Sequence, residues 1–245
     1  MKVRQAGELG PEAQAVRQMF AEIAPRYDFL NHFLSASVDR RWRKLAVAKV
    51  AEHLKEKTDL VCLDLCSGTG DLALELRRRL GVQVVASDFC HPMLVRCLAK
   101  VAASGMQESI RTIESDSLAL PFDQNIFDGV TIAFGLRNLQ DPARGLAEMR
   151  RVLKNGSTLV VLEFSRPVVP IFREAFQFYF RHVLPRLGAM LSGQRSAYEY
   201  LPESVSRFPA QRELAAMMTS GGFANVSYRN LSWGIAALHW GTKVR

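Results

Sequence analysis

Short apolar runs alternate with amphipathic stretches through the middle of the chain. The run that ends at Asp64 is typical of a parallel strand that is covered on both faces. Because strand-like and helix-like segments alternate from there on, the sequence predicts a doubly wound parallel sheet. Strands are expected at about 61–65, 82–88, 110–115, 127–133 and 157–164, with helices from 71 through 76, at 92–103 and at 142–153.

Segments on both sides of this alternation follow other patterns. Residues 1–57 are expected to form a helical cap, with helices at 11–23 and 39–55 and an aromatic and polar connector at 25–31. The sheet core is expected at 58–165 and 209–245, and it ends in an antiparallel hairpin of strands 224–230 and 234–240. No glycine-rich linker separates these parts, so residues 1–245 are predicted to form a single domain.

The alternation is interrupted at residues 166–208, which are rich in aromatic side chains. Their apolar residues recur at helical spacing and share one face: Phe172, Phe176, Tyr179, Phe180, Val183, Leu184 and Leu187. We interpret this segment as a substrate-binding insertion that forms an apolar pocket together with the cap around Tyr27.

A glycine turn connects the first predicted strand to the following helix. Gly68 and Gly70 allow the backbone to turn sharply and to approach a ligand without an intervening Cβ. Such strand–turn–helix junctions bind nucleotides off the carboxyl ends of parallel strands. Gly68, Gly70 and Ala73 also fit the dinucleotide fingerprint, with Asp88 lying 20 residues after Gly68.

Asp64 favours S-adenosylmethionine over a dinucleotide as the cofactor. A carboxylate directly before the turn would repel a pyrophosphate, whereas it suits the cationic amino-acid part of S-adenosylmethionine. A six- to seven-stranded sheet with a terminal hairpin also departs from the standard dinucleotide order. Two alternatives stay open: a nicotinamide-dependent oxidoreductase, and a methyltransferase-fold protein that binds RNA without methyl transfer.

Acidic residues follow three consecutive strands, and in a doubly wound sheet such positions line one crevice. Asp64 is expected to hold the ammonium group of the cofactor, Asp88 its two ribose hydroxyls, and Asp116 with Ser117 its adenine edge. The fourth strand then delivers residues 134–138, Phe-Gly-Leu-Arg-Asn, beside the reactive end of the cofactor. The Asx-Pro-Pro-aromatic and Pro-Cys motifs of nucleic-acid methyltransferases are absent there, so no nucleic-acid substrate is expected.

Composition changes this picture little. The 245 residues are 48% hydrophobic and 23% charged, no run approaches the roughly 20 apolar residues of a membrane span, and residues 1–6 lack the apolar core of a signal peptide. We therefore expect a cytoplasmic protein. Its net charge of +8 suits an anionic partner, and its four cysteines lack zinc-ligand spacing, so no metal is expected.

Several segments resemble the ubiquinone/menaquinone biosynthesis C-methyltransferases, from about Phe20 to Lys243. They are Ile-Ala-Pro-Arg-Tyr-Asp at 23–28, Arg-Trp-Arg-Lys at 41–44, Gly-Thr-Gly-Asp at 68–71, Leu-Pro-Phe at 120–122, Phe-Gly-Leu-Arg-Asn at 134–138, Leu-Glu-Phe-Ser at 162–165, Tyr-x-Tyr-Leu-x-Glu-Ser at 198–204 and Ala-Leu-His at 237–239. The departures are at 154–157, at Ala133 and Ser117, at 193–195, and at Trp233, where the family usually has glycine.

The resemblance implies a class I S-adenosylmethionine-dependent methyltransferase fold, with a seven-stranded, mostly parallel sheet, a C-terminal antiparallel hairpin and an N-terminal helical cap. It implies C-methylation of a polyprenylated quinol, either demethylmenaquinol or a ubiquinol precursor. Because the prenyl tail is long, transient association with the inner face of the membrane is expected, and a homodimer is compatible with the sequence. The implied site comprises the catalytic residues Arg137, Asn138 and Asp71, the cofactor residues Asp64, Gly68, Thr69, Gly70, Asp88, Asp116, Ser117 and Ala133, and the substrate residues Tyr27, Phe134, Phe176, Tyr198 and Tyr200.

Overall fold

A seven-stranded sheet forms the centre of the computed structural model, which describes residues 11–35, 37–54, 59–170, 174, 179 and 195–244. Most of the aromatic face expected at 172–187, including Phe176, lies outside the described residues. In the part of the chain that is described, no helix has both the length and the apolar character that a membrane crossing requires.

The strand order is β3-β2-β1-β4-β5-β7-β6, in which β7 pairs antiparallel with both β5 and β6 and the other pairs are parallel. This arrangement confirms the mostly parallel sheet and the C-terminal hairpin. Because the first five strands are parallel, the loops that follow β1, β2 and β4 meet at one edge of the sheet. The strands are β1 Val61–Leu65, β2 Gln83–Asp88, β3 Ile110–Glu114, β4 Phe127–Ala133, β5 Leu153–Phe164, β6 Phe223–Leu231 and β7 Ala236–Lys243.

Helices cover both faces of the sheet. They are α1 Pro11–Ile23, α2 Tyr27–Leu34, α3 Val38–Ala51, α4 Asp71–Leu80, α5 His91–Ala103, α6 Pro142–Val152, α7 Arg195–Arg207 and α8 Gln211–Ser220. Their ends follow local rules: the Asp141 side chain accepts a hydrogen bond from the Arg144 amide at the start of α6, and Gly81 ends α4 in the left-handed region with φ 68°.

The prediction of a connector at 25–31 is wrong, because these residues are helical. A 3-10 turn at Ala24–Arg26 leads directly into α2. Pro25 stands in the first positions of that turn, where its missing N–H costs no hydrogen bond. The Tyr27 ring then packs edge-on against Phe20 at 6.2 Å, so α2 continues from α1 and belongs to the cap.

The core consists of one layer on each face of the sheet, as the alternation of side chains along a strand requires. Within β1, Leu63 and Leu65 face the layer that contains Leu146 and Met149 of α6. Cys62 faces the opposite layer, with α3 and α4. Asp64 shares the side of Cys62, so its carboxylate is buried beneath the start of α4.

A buried histidine connects the hairpin to α8. His239 of β7 is 1% exposed and stacks on Tyr228, and its Nε2 lies 2.9 Å from the Gln211 carbonyl oxygen. That contact requires the proton to be on Nε2, and buried Nδ1 has no hydrogen-bond partner within the described part of the chain. Burial lowers the pKa of His239, so the folded protein holds this ring neutral.

We predict that His239 makes folding less favourable in acid. The unfolded chain takes up a proton near pH 6.5 that the folded state resists, so this stabilisation is present above pH 6.5 and declines below it. Between pH 7.5 and 5.5, the difference in free energy of unfolding between wild type and His239→Gln should shrink by at most about 1.4 kcal/mol per pH unit.

Urea titrations across this pH range measure the free energy of unfolding of both proteins. Buried carboxyl groups change this energy with pH in the opposite direction, but equally in variant and wild type, so their contribution cancels in the difference. The matched control is His91→Gln, since the His91 side chain is 65% exposed. A difference that does not vary with pH would contradict the role of His239.

Candidate functional site

A cavity lies at the carboxyl ends of the central strands, where open α/β sheets bind their ligands. Its lining includes seven of the residues that the sequence predicts for the cofactor and the substrate, together with Asn138: Tyr27, Gly68, Asp88, Asp116, Ser117, Ala133 and Phe134. The sequence analysis did not identify several other lining residues, among them Cys66, Phe89, Met93, Leu139 and Gln140.

The turn after β1 depends on positions that a side chain would not fit. Gly70 has φ 86°, and a Cβ built there would lie 2.4 Å from Cys97 Sγ of α5. A Cβ on Gly135 would lie 2.3 Å from that of Cys66. The two loops that enclose the cavity, after β1 and after β4, therefore touch through backbone and a single cysteine side chain.

Asp88 shapes the glycine loop from the end of β2. Its Oδ2 accepts a hydrogen bond from the Gly68 amide at 2.8 Å, and its Oδ1 accepts one from the Cys90 amide at 2.8 Å. Burial raises the pKa of Asp88 to about 6, so the carboxylate prevails at neutral pH. Each oxygen keeps a further lone pair, with which this cavity-lining residue can accept two ribose hydroxyls.

Asp64 does not line the cavity and is only 1% exposed. Its Oδ1 accepts a hydrogen bond from Thr131 Oγ1 at 2.8 Å, whereas its buried Oδ2 has no partner among the described residues. Burial raises the pKa of Asp64 to about 7. An unsatisfied buried carboxylate oxygen beside the glycine loop fits the ammonium group of S-adenosylmethionine, which would supply the missing donor.

The remaining predicted cofactor residues fall into two groups. Asp116 and Ser117 line the cavity, and Asp116 Oδ1 also accepts the Leu118 amide at 2.9 Å. Thr69 is 2% exposed and does not line the cavity, since its hydroxyl donates to Asp28 Oδ1 of α2 at 2.5 Å. Gly70, which is also outside the lining, acts through the turn that it allows.

Arg137 has a buried partner that the sequence analysis missed. Its Nη1 donates to Glu163 Oε1 of β5 at 2.7 Å, and its backbone amide donates to Glu163 Oε2 at 3.2 Å. The two side chains are 6% and 1% exposed, so the ion pair lies in a low-dielectric environment. Arg137 Nη1 also donates to the Phe134 carbonyl, which fixes the loop that carries Asn138.

A groove with about 1660 Å³ of empty space, partly open to solvent, adjoins the cavity. It lies between α1 and α7, and its lining includes Ala13, Asn138, Leu139 and Gln140, which also line the cavity. Tyr200 of α7 faces the groove, and its hydroxyl donates to Asn138 Oδ1 at 3.1 Å. The structure therefore joins Tyr200 to Asn138 at the boundary between groove and cavity.

The remaining predicted residues are Tyr198, Phe176 and Asp71. The side chain of Tyr198 and the whole of Phe176 lie outside the described residues. Asp71 is in neither the cavity nor the groove, and its carboxylate pairs with Lys100 and lies 3.6 Å from Arg43 Nη1. Among the described residues, no group of three or more His, Cys, Asp or Glu side chains is arranged to hold a metal ion.

Comparison with known proteins gives consistent matches along nearly the whole chain. Residues 9–243 match the model of the ubiE/COQ5 methyltransferase family. The "Demethylmenaquinone methyltransferase" of Deinococcus radiodurans is 49% identical over 97% of this chain and 96% of its own length, and that of Thermus thermophilus is 49% identical over 92% and 100%. The "Ubiquinone/menaquinone biosynthesis C-methyltransferase UbiE" of Geobacter sulfurreducens is 44% identical over 96% and 91%.

Solved structures with this fold are more distant in sequence. The [4+2]-cyclase SpnF superposes with a TM-score of 0.70 at 16% identity, covering 98% of this chain and 99% of its own. A SAM-dependent methyltransferase from Aquifex aeolicus superposes with a TM-score of 0.57 at 19% identity, covering 81% and 89%. At such low identity these matches show the fold alone, and they agree with the class I arrangement.

We predict that the affinity for S-adenosylmethionine rises with pH up to about pH 7 and then levels off. Asp64 must be ionised to hold an ammonium group, and its pKa is raised to about 7, so binding draws the carboxyl into its charged form and releases a proton. Well below that pKa the affinity should fall by about tenfold per pH unit.

Calorimetry in buffers of different ionisation enthalpy counts the released protons. Asp64→Asn should bind weakly and lose this pH dependence, whereas Asp128→Asn, at the amino end of β4, should retain it. Proton release that is unchanged in Asp64→Asn would show that another group titrates.

Proposed function

The chain belongs to the ubiE/COQ5 methyltransferase family, and we propose that it methylates a ring carbon of a polyprenylated quinol with S-adenosylmethionine. The observation that carries this proposal is the near-full-length similarity to relatives named demethylmenaquinone methyltransferase. We therefore favour demethylmenaquinol as the acceptor over a ubiquinol precursor. The comparisons give no support to the oxidoreductase or the RNA-binding alternative.

The redox state of the acceptor follows from the chemistry of the cofactor. When bound, S-adenosylmethionine supplies an electrophilic methyl group, so the accepting carbon must be electron-rich. A quinone ring is electron-poor, whereas a hydroquinone places electron density on the carbon next to its hydroxyl, most strongly as a phenolate. Because a phenol has a pKa near 10, the site must stabilise the anion for reaction at neutral pH.

Arg137 and Asn138 are the groups we assign to this oxygen. Glu163 compensates the charge of Arg137 and holds its Nη1, but Nη2 makes no hydrogen bond to the described residues and can donate to a phenolate in the groove. Asn138 lines both cavity and groove. Tyr200 donates to its Oδ1 and its Nδ2 donates to the Phe134 carbonyl oxygen at 3.4 Å, which leaves one amide N–H for a ligand. Asp71 is held in ion pairs, so we assign proton removal to water in the open groove.

The groove between α1 and α7 suits the ring and the first prenyl units. The face of α1 that borders it carries Ala13, Val16 and Met19 at helical spacing, opposite Phe208 and Pro209. Tyr27 and Phe134 line the adjoining cavity and would bound the ring on the side of the cofactor. We propose this path as the substrate-binding site, with the insertion at 166–208 contributing the remainder of the apolar surface.

We predict that only the reduced substrate is methylated. Turnover should appear in an anaerobic assay of a short-chain demethylmenaquinone analogue after dithionite is added, and be absent without it. The control is S-adenosylmethionine binding measured under both conditions, which should not change. Equal rates on the oxidised and reduced substrate would refute the proposed chemistry.

Arg137 is tested by a charge-neutral pair of substitutions. Arg137→Ala alone would leave the buried Glu163 carboxylate without a counter-charge, which is expected to destabilise the fold by about 3–5 kcal/mol. The double variant Arg137→Met with Glu163→Gln removes both charges. We expect it to fold and to bind S-adenosylmethionine within about twofold of wild type, while turnover falls by about 100-fold or more.

Glu163→Gln alone provides the matched comparison. It keeps a hydrogen-bond acceptor for Arg137 and leaves the guanidinium with its full net charge, so turnover should exceed that of the double variant by at least tenfold. A fully active double variant would remove Arg137 from the mechanism.

We further propose that the protein binds reversibly to an anionic membrane surface, where a long-tailed substrate resides. Exposed apolar side chains adjoin one another at the carboxyl edge of the sheet: Trp233 is 65% exposed in the turn between β6 and β7, and Val168, 51% exposed, donates its amide to the Trp233 carbonyl at 2.9 Å. Tryptophan is favoured at membrane interfaces, and the net charge of +8 attracts anionic lipid.

Vesicle sedimentation tests this association. The protein should bind vesicles rich in phosphatidylglycerol at low salt, should be released by about 0.5 M salt, and should bind phosphatidylcholine vesicles weakly. Trp233→Ala should weaken binding several-fold, whereas Val244→Ala, an exposed apolar residue beyond the opposite end of the sheet, should not. No association with anionic vesicles at low salt would overturn this proposal.

A further inference from the structure

A polar network ties the cap helices to the back of the glycine loop. Its members come from α2, α3, the loop itself, α4 and α5, and none of them lines the cavity or the groove. They are Asp28, Asp39, Arg43, Thr69, Asp71 and Lys100.

Lys100 is the centre of this network. Its ammonium group donates to Asp28 Oδ2 at 3.0 Å and to Thr69 Oγ1 at 3.3 Å, and it pairs with Asp71 at the start of α4. Thr69 in turn donates to Asp28 Oδ1 at 2.5 Å. Asp28 of the cap is therefore bound by both the loop and α5, and these two hydrogen bonds use both of its carboxylate oxygens.

Lys100 and Asp28 are more exposed than the ion pair of Arg137 and Glu163. The Lys100 and Asp28 side chains are 28% and 29% exposed, whereas Arg137 and Glu163 are 6% and 1% exposed. Breaking the ion pair of Arg137 and Glu163 would leave two charges buried away from water. Lys100 and Asp28 are partly exposed, so water can replace each partner at a small cost in free energy. The contact is thus able to break and re-form in the folded protein.

Asp28 lies next to Tyr27, and consecutive helical residues point in different directions. While Asp28 reaches the network, Tyr27 lines the cavity, with its Cε1 3.9 Å from a Cβ built on Gly68. The first turn of α2 cannot move away from Lys100 without also moving Tyr27 away from the glycine loop. Ala13 and Phe20 of α1 line the same cavity, so the cap covers it.

We propose that Asp28 and Lys100 form a latch, which in its closed state holds Tyr27 and the cap over the cofactor cavity and in its open state lets the cofactor enter and leave. Both are positioning residues, because they act through Tyr27 and touch no reacting atom. The latch concerns the cofactor, so it does not depend on the identity of the methyl acceptor.

An apolar cluster is the competing explanation for how the cap is held. Ile23 and Ala24 are buried against Cys90 and Met93 of the β2–α5 region, with Phe20 packed beside them. If these contacts alone fixed the cap, removing the polar contacts would leave cofactor release unchanged. The two explanations therefore differ in the kinetics of release.

The experiment measures release of radiolabelled S-adenosylmethionine by rapid filtration after a chase with unlabelled cofactor. Lys100→Met leaves Asp28 facing Asp71 without a cation between them, and it should speed release by about tenfold or more. Asp28→Asn should speed it less, because asparagine can still accept from Thr69. The double variant Lys100→Met with Asp28→Asn should release the cofactor more slowly than Lys100→Met alone, because it no longer places two carboxylates opposite each other.

Hydrogen exchange of the cofactor-free protein gives a readout that does not involve binding. Amides of α2 should exchange several-fold faster in Lys100→Met, while those of β1 and β4 remain as in wild type. Lys154→Met is the matched control, because Lys154 pairs with Asp128 at the amino end of β4, away from the cavity. Release and exchange at wild-type rates in Lys100→Met, or equal effects in Lys154→Met, would overturn the latch.

Discussion

The Gly68 and Cys90 amides donate hydrogen bonds to the Asp88 carboxylate, and the bond from Gly68 joins the loop after β1 to the end of β2, 20 residues further along the chain. Removing a carboxylate from water is unfavourable, and the amides of this tight turn replace the lost solvent. Because the turn has left-handed φ values at Gly68 and Gly70, its N–H groups point toward the end of β2. Gly68 and Asp88 both line the cavity and Tyr27 approaches Gly68, so the shape of the cavity on this side depends on the junction.

The buried charges near the cavity differ in whether a partner compensates them. Arg137 and Glu163 compensate each other, so that pair is complete in the free protein and holds the loop after β4. Asp64 is incomplete, because its Oδ2 has no hydrogen-bond partner among the described residues and burial raises its pKa to about 7. The ion pair on the substrate side is therefore already formed before any ligand binds. On the cofactor side, Asp64 gains a partner only when a cationic ligand binds.

The fold could be predicted from local patterns, because strands and turns have characteristic residue patterns and their alternation with helices indicates parallel pairing. The acids after β1 and β2 were identified in the same way, since parallel topology brings strand ends together. The pairing of Arg137 with Glu163 and of Asp28 with Lys100 could not be read from periodicity, because these partners lie 26 and 72 residues apart. The same limit applies to the hydrogen bond from the Thr69 hydroxyl to Asp28, which lies 41 residues away in the chain.

The position of the aromatic residues links the two halves of the site. Phe134 lines the cavity and packs at a tilt against Phe164, with ring centroids 4.7 Å apart. It also contacts Trp42, whose indole N–H donates to Ser232 beside the exposed Trp233. Aromatic contacts of this kind add stabilisation beyond the area they bury, so this row is stiff. This apolar row connects the cofactor cavity to the apolar edge of the sheet and includes Trp42 of α3. In the latch that we propose, α1 and α2 are then the part of the cap that moves when the cofactor exchanges.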